Sequence, residues 1–356
     1  MNTTEGRRRF GTVGEDSPIE LLTLDNGIIS CEILTWGGTL RALRVPDRSG
    51  CPVDVALGCD TLEEYLAHDA YFGAIMGRYA NRIAKGSFTL HGRRYALAVN
   101  NGPNHLHGGN IGFDRRIWHV RELTPIRAVL TLVSPDGQEG YPGTLKTSVT
   151  YELRESSLEI RYQAHCDQDT PCNLTNHSYF NLAGQGTGPV LDQEVRLNAA
   201  CYTPADENSI PLGMLEQVDG TPMDLRSWTA IGAHIGEPFP QLIMGNGYDH
   251  NFAVDGMPGT LRPAAAARAR QTGIVMEVET TMPGLQFYTA NYVAKGCPGK
   301  GGAAYGPRHG FCFETQFFPD SPNQPAFPSA ILAAGEAYDH RTVFRFSTET
   351  AGVGDD

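Results

Sequence analysis

Residues 158–165 read Leu-Glu-Ile-Arg-Tyr-Gln-Ala-His, with apolar and polar side chains in strict alternation. Successive side chains of an extended strand point to opposite faces, so this segment has one apolar and one polar face. The same alternation recurs in four further segments: 129–133, 145–153, 274–280 and 342–347. Segments 88–90 and 93–97 flank His91-Gly92, which predicts a hairpin with a two-residue loop. The pattern indicates sheets of antiparallel strands.

Helix signals are few and short. Asp60 and Glu63 are placed to cap a helix over 62–66, and residues 264–270 have a helical composition. Strands do not alternate with helices, which disfavours a doubly wound sheet. We therefore predict an all-β fold, a large antiparallel β-sandwich with a few short helices. One domain is expected over 1–356, with residues 1–9 and about 349–356 as loose tails.

Composition excludes several classes of protein. Hydrophobic residues make up 40% and charged residues 19% of the 356, which is typical of a folded chain. A net charge of -12 repels phosphate backbones and anionic lipid, so neither a nucleic acid nor a membrane partner is expected. The eight cysteines contain no C-x-x-C pair and predict reduced thiols, and we expect a cytoplasmic protein.

Two polar segments, 77–83 and 100–109, have the composition of loops. In the first, Asn81 and Arg82 are suited to donate hydrogen bonds to ligand hydroxyls, although arginines four apart also suit a solvated face. In the second, His105 and His107 would share one face of an extended segment. They are either loop histidines bonded to the backbone or a metal pair. A metal pair would want a carboxylate nearby, and none follows before Glu122.

Three further segments, 173–182, 247–252 and 311–320, supply titratable groups. Alternation places His177 on one face with asparagines, threonine and tyrosine, where a lone imidazole among amides suits proton transfer. Asp249 either caps a turn or accepts hydrogen bonds from two ligand hydroxyls. Glu314 lies among phenylalanines, and apolar surroundings raise a carboxyl pKa toward the range of a general base.

Six segments together resemble one known family. They are 77–83; 104–109 with 112–114 and Trp118; 174–182; 248–252; 283–291; and 314–316 with 319–320. From about residue 20 to 347 the chain is similar to the aldose 1-epimerase (galactose mutarotase) family, whose order these segments follow. The resemblance implies the large β-sandwich called the galactose mutarotase-like supersandwich.

The resemblance also implies roles for residues. Glu314 would be the general base and His177 the general acid, with His107 supporting catalysis near the anomeric carbon. The implied substrate-binding set, in which Ser178 and Tyr179 lie beside the acid, is Asn81, Arg82, His107, Ser178, Tyr179, Asp249 and Gln286. The acid–base scheme requires His177 charged and Glu314 ionised in the same enzyme form.

The implied activity interconverts the α and β anomers of free aldohexoses such as galactose and glucose. It needs neither a metal nor a cofactor, and belongs to carbohydrate metabolism. Three alternatives stay open: an epimerase-like enzyme acting on a sugar phosphate, a non-catalytic sugar-binding or sensing domain, and a metal-dependent cupin built on His105 and His107. Neither the preferred aldose nor the choice between monomer and homodimer follows from the sequence.

Overall fold

The computed structural model describes residues 6–349, in which the strands form antiparallel sheets. The first sheet, called here the five-stranded sheet, contains neighbouring strands in chain order: Arg7–Val13, Ser17–Asp25, Ser30–Leu34, Leu40–Pro46 and Pro52–Asp54. Its first strand shows that the loose tail predicted over 1–9 is wrong for Arg7 to Arg9, which pair with Leu22 to Glu20. Residues 1–5 and 350–356 of the predicted tails lie outside the described residues.

Two larger sheets complete the sandwich. The nine-stranded sheet has the order His119–Thr124, Arg127–Ser134, Leu145–Arg154, Ser157–Cys166, Ala337–Thr348, Ile274–Thr280, Arg262–Arg268, Glu194–Leu197 and Thr229–Ala230. The six-stranded sheet has the order Tyr179–Phe180, Phe311–Gln316, Gly284–Tyr288, Asp249–Ala253, Cys201–Tyr202 and Glu216–Gln217. The predicted all-β antiparallel architecture is confirmed.

Five short pairs of strands form separate two-stranded sheets. They are Arg82–Ile83 with His105–Leu106, Ile75–Met76 with Thr175–Asn176, Ser87–Leu90 with Arg93–Ala96, Thr170–Pro171 with Ile331–Leu332, and Cys297–Pro298 with Ala304–Tyr305. The third pair is the predicted hairpin. Five single-turn 3₁₀ segments lie at Ala84–Gly86, Phe113–Arg115, Gln138–Gly140, Lys300–Gly302 and Ser321–Asn323.

Alternation in sequence becomes alternation in burial. In strand Ser157–Cys166 the side chains of Leu158, Ile160, Tyr162 and Ala164 are buried, whereas Arg161 and His165 are exposed. The buried side chains join one apolar cluster that also contains Leu22 of the five-stranded sheet and Phe313 of the six-stranded sheet. The core therefore lies between the inner faces of the three sheets.

Two α-helices occur in the described part of the chain, Leu62–Leu66 and Pro240–Met244. Neither has the length and hydropathy needed to cross a bilayer. The first helix is where we predicted one, but its cap is Thr61 rather than Asp60. The Thr61 hydroxyl accepts from the Glu64 amide while the Glu64 carboxylate accepts from the Thr61 amide.

The helical composition of 264–270 misleads. These residues lie mostly in strand Arg262–Arg268, between Glu194–Leu197 and Ile274–Thr280. The four consecutive alanines from 264 to 267 are buried there, so sheet pairing and burial override their helical preference.

Candidate active site

The six-stranded sheet carries polar side chains on the face that turns away from the core. Strand register places Gln286 opposite both Glu314 and Asn251. Two residues along, Tyr288 lies opposite Cys312 and Asp249. Since side chains alternate, Phe311 and Phe313 of the same strand point into the core. Register alone therefore brings Glu314 and Asp249 to one surface.

This surface forms the floor of a cleft of about 710 Å³. Seven of the predicted site residues line it: Asn81, Arg82, His107, His177, Tyr179, Asp249 and Glu314. The cleft has the size of an ordinary small-molecule site.

Ser178 and Gln286 are the two predicted substrate contacts that do not line the cleft. Ser178 is buried, and its amide donates to Asn176 Oδ1 at 3.2 Å. Gln286 lies behind Asp249, and its Nε2 donates to Asp249 Oδ1 at 2.7 Å. This hydrogen bond restrains the Asp249 carboxylate.

His177 and Glu314 meet at the floor of the cleft. The distance from His177 Nε2 to Glu314 Oε1 is 3.7 Å, and both side chains are almost fully buried. His177 follows the short strand Thr175–Asn176, which pairs with Ile75–Met76 and so fixes the position of its backbone. Among residues 6–349 the Oε2 atom of Glu314 has no hydrogen-bond partner, so it is available to a ligand.

Burial sets the charge state of this pair in the ligand-free cleft. Burial lowers the pKa of His177 to about 4. Burial, and next the charge of Asp249, raise the pKa of Glu314 well above its ordinary value, against the opposing effect of Arg82. A neutral imidazole beside a protonated carboxyl is therefore favoured over the ion pair we expected. Both forms hold the same single proton and differ only in where it lies.

His107 reaches the pair from a neighbouring loop. Its Nδ1 accepts a hydrogen bond from the Asn81 amide at 3.1 Å, and its own amide donates to the Asn81 carbonyl at 3.1 Å. Both residues have left-handed backbones, with φ of 51° for His107 and 65° for Asn81. Because Nδ1 is an acceptor, the proton of the neutral ring is on Nε2, which makes His107 a hydrogen-bond donor.

This tautomer bears on metal binding. Donor atoms of His107, His177 and Glu314 lie within 4.8 Å of one another, which is the donor set of many metal sites. A metal at Nε2 of His107 would move the ring proton to Nδ1, where it would meet the Asn81 N–H. The trio therefore fits proton transfer better than a metal.

Of the two interpretations of His105 and His107, the structure shows loop histidines bonded to the backbone and not a metal pair. His105 turns away from the cleft, with Nδ1 bonded to the Ala98 carbonyl at 2.7 Å and Nε2 to the Tyr141 hydroxyl at 2.6 Å. The two rings separate because the left-handed backbone of His107 ends the strand at Leu106. A cupin-like metal pair is excluded by this geometry.

Sequence reasoning missed two neighbours of His177. The ring of Tyr71 stacks on His177 with centroids 5.7 Å apart, and the ring of Tyr288 meets it edge-on at 6.1 Å. Tyr288 belongs to the segment 283–291 but was not singled out there. Tyr71 lies before the first polar segment, 77–83. The nearby Gly73, which indicates a turn, is the one local signal at this position.

Comparison with known proteins gives the family. The family model described as aldose 1-epimerase matches residues 20–345. Galactose mutarotase of Bos taurus is 49% identical over 329 residues, which covers 92% of this chain and 94% of that protein. Aldose 1-epimerase of Escherichia coli K12 is 36% identical over 339 residues, covering 94% and 97%. The chain belongs to the aldose 1-epimerase family.

Solved structures agree with this membership, which makes the chain an isomerase. A GalM/aldose epimerase homologue from Caenorhabditis elegans superposes with a TM-score of 0.85 at 27% identity, covering 93% of this chain and 99% of its own. Galactose 1-epimerase from Lactobacillus acidophilus superposes with a TM-score of 0.84 at 28% identity, covering 97% and 98%. The expected mutarotase-like supersandwich is confirmed by both.

Several polar residues of this aldose 1-epimerase form buried hydrogen bonds to the backbone and do not line the cleft. Arg78, for which a solvated face was one interpretation, is buried and donates to the carbonyls of Pro142, Gly143 and Ser134. Asn173 is also buried and bonds to the backbone of Ala80 and Phe317. Of the polar face that alternation predicts over 173–182, His177 and Tyr179 line the cleft, whereas Asn173 belongs to a buried polar network.

Proposed function

We propose that this chain opens and recloses the ring of free aldoses such as galactose and glucose, and so interconverts their α and β anomers. The observation that carries the proposal is the 3.7 Å approach of His177 Nε2 to Glu314 Oε1 at the floor of a sugar-sized cleft. Two adjacent groups that share one proton are what hemiacetal opening needs, since one oxygen loses a proton while another gains one.

The proposed reaction starts from the form of the pair that has its proton on His177: Glu314 accepts the proton of the anomeric hydroxyl, and Nε2 of His177 donates its proton to the ring oxygen. The bond between the anomeric carbon and the ring oxygen breaks, and an aldehyde forms. Rotation about the C1–C2 bond presents the other face of the aldehyde. Reclosure returns both protons, so the enzyme is unchanged and no oxidant or covalent intermediate takes part. Each positioned group contributes typically ~10² to 10⁴-fold.

The remaining cleft residues are assigned to orientation. His107 donates from Nε2 to an oxygen near the anomeric carbon, and Arg82 offers a cation beside Glu314. Asp249, aimed by Gln286, accepts hydrogen bonds from sugar hydroxyls. Asn81 and Tyr179 complete the binding set, and Ser178 contributes from behind the lining.

The charge of the cleft favours neutral sugars over sugar phosphates. Among the described residues that line it, two are arginines, Arg82 and Arg115, against five carboxylates: Asp69, Asp114, Glu207, Asp249 and Glu314. A phosphate would want several basic partners. Retention of both His177 and Glu314 favours an enzyme over a sugar-sensing domain.

We also propose a single domain over 1–356, supported by one apolar cluster that joins all three sheets. The eight cysteines, all within residues 6–349, are free thiols, which supports a reducing location such as the cytoplasm. A monomer or homodimer is proposed, and size-exclusion chromatography with light scattering distinguishes the two.

Polarimetry tests the function directly. Freshly dissolved α-galactose or α-glucose is mixed with the protein in the presence of EDTA, and the optical rotation is followed to equilibrium. We expect relaxation much faster than in the buffer blank, in proportion to protein concentration. A glucose 6-phosphate sample run alongside separates the phosphate alternative. Relaxation no faster than the blank across galactose, glucose, xylose and arabinose would overturn the proposal.

A further inference from the structure

The ring of His177 stacks with two tyrosines. Tyr179 stacks on it at 5.0 Å with an interplanar angle of 23°, and Tyr71 stacks on it at 5.7 Å with an angle of 30°. Tyr179 belongs to the sheet that forms the cleft floor, whereas Tyr71 arrives from the loop before strand Ile75–Met76. Two stacked rings thus restrict the orientation of the imidazole plane.

A third contact distinguishes the two ring nitrogens. Sγ of Cys312 lies 3.6 Å from Nδ1 of His177, while Nε2 faces Glu314. Whether the proton shared with Glu314 is on the carboxyl or on Nε2, the ring keeps its other proton on Nδ1. The thiol sulfur is a suitable acceptor for that N–H, and burial raises the pKa of Cys312 so that it stays a thiol.

The placement of Tyr71 is conformationally costly. Its φ is 57°, a left-handed value that is uncommon for a bulky aromatic residue. The half-buried ring lines the catalytic cleft on one side and a second cavity of about 280 Å³ on the other. The turn is held by the Ala74 amide donating to the Tyr71 carbonyl and by the Gly73 amide donating to the His177 carbonyl. Backbone and ring are therefore tied to the same histidine.

We propose that Tyr71 and Cys312 are positioning residues of the acid–base pair. Tyr71 holds the His177 ring flat against Tyr179, and Cys312 keeps a proton on Nδ1, so that Nε2 is the nitrogen that exchanges protons with the sugar. This inference rests on the proposed role of His177 in anomer interconversion.

The titratable groups that face His177 come from five parts of the chain. They are Tyr71 from its loop, His107, Tyr179 with Cys312 and Glu314 of adjoining strands, and Tyr288. Two of these contacts stabilise the charged form of His177. The π face of the stacked Tyr71 ring attracts the imidazolium, and the sulfur of Cys312 accepts a hydrogen bond from Nδ1–H. Removing either contact should lower the pKa of His177. The fall of kcat on the acid side of the pH profile, called here the acid limb, should then move to lower pH.

Tyr71→Leu tests the first contact, with Tyr71→Phe as the matched variant that keeps the ring. We expect the leucine variant to lose roughly 3- to 30-fold in kcat with little change in KM, and its acid limb to shift to lower pH. The phenylalanine variant should keep the wild-type kcat and pH profile. Equal kcat and equal limbs in the leucine variant and wild type would overturn the role of Tyr71.

Cys312→Ala tests the second contact, with Cys172→Ala as control because Cys172 is equally buried but lies in the main core. We expect Cys312→Ala to lose roughly 2- to 12-fold in kcat and to shift the acid limb, whereas Cys172→Ala keeps both. A kcat loss and limb shift of the same size in the control would assign the effect to core packing and contradict the proposal.

A spectroscopic measurement keeps the proposal testable without any variant. ¹⁵N NMR of histidine-labelled wild type at neutral pH should show His177 protonated at Nδ1, and a resting ring protonated at Nε2 alone would overturn the proposal. If the wild type fails to accelerate mutarotation of any aldose, the proposed function is lost. Wild-type activity combined with unaffected variants removes only the positioning roles.

Discussion

Nε2 of His177 lies 3.7 Å from Oε1 of Glu314, although His177 lies between two short strands and Glu314 belongs to strand Phe311–Gln316, far away in the chain. Burial lowers the pKa of His177 and raises that of Glu314, so it favours the neutral form of both groups in the ligand-free cleft. A sugar that fills the cleft brings hydroxyl and ring oxygens to the two groups. Proton exchange with those oxygens then needs no rearrangement of the protein.

Removing either member of the pair should abolish most activity and leave the fold intact. For His177→Asn and Glu314→Gln we expect kcat to fall ~10² to 10⁴-fold each, and the double variant to lose little more, since the two act as one unit. Glutamine matches the protonated carboxyl that burial favours, so the thermal midpoint of Glu314→Gln should not fall. Polarimetry and circular dichroism measure both quantities. Near-normal turnover in either single variant would contradict the assignment.

Activity should show two pH limbs. Below the lowered pKa of His177, about 4, the pair gains a second proton, so both groups are protonated and neither can accept the anomeric proton. Above the raised pKa of Glu314, which lies well above the ordinary 4.5, the pair loses its only proton. Maximal kcat/KM is therefore expected between these limits, in initial rates corrected for the buffer-catalysed reaction. A profile that rises through the whole range would refute the one-proton requirement.

Asp249 should affect sugar binding and the pH at which activity falls on the alkaline side, called here the alkaline limb. Asp249→Asn removes a charged acceptor for sugar hydroxyls, so KM should rise roughly 10- to 100-fold with a smaller change in kcat. The charge of Asp249 also raises the pKa of Glu314, so its loss should move the alkaline limb to lower pH. Asp219→Asn, an exposed carboxylate paired with Arg226, is the matched control. An unmoved limb together with an unchanged KM would exclude both roles.

Chelation should leave activity unchanged. The Asn81 amide occupies the Nδ1 atom of His107 and leaves a proton on Nε2, which opposes a metal bound to the His107, His177 and Glu314 trio. We expect the same mutarotation rate before and after dialysis against EDTA. A loss of rate that added Zn²⁺ restores would show that a metal takes part.

Arg78 should determine stability and not chemistry. Its guanidinium donates to three buried carbonyls and to the hydroxyls of Ser134 and Thr170. Arg78→Met should lower the free energy of unfolding by about 3 to 5 kcal/mol, because each buried carbonyl left without a donor costs roughly 1 to 3 kcal/mol. Urea denaturation checks this value. A variant with wild-type stability would show that water replaces the guanidinium.

Patterns of neighbouring residues predicted those features of the fold that depend on neighbouring residues alone. Alternation at residues 158–165 predicted a strand because burial on one face needs a period of two, and the structure confirms it. Composition failed at the alanines 264–267, because helical preference is weaker than the burial and ladder pairing that the nine-stranded sheet supplies. The sequence left two interpretations of the arginines in 77–83 open. The carbonyls that accept hydrogen bonds from Arg78 are distant in the chain, so no neighbouring residue indicates them.

By itself the sequence determined the strand-rich class and the chemical types at the site, because side-chain periodicity and motif residues are local properties. Only the tertiary structure decided that His177 and Glu314 meet, that Gln286 lies behind Asp249, and that Tyr71 covers the imidazole. These relations depend on strand register and on left-handed turns far apart in the chain. Contacts between distant segments stabilise these arrangements, and no periodic pattern within a single segment predicts such contacts.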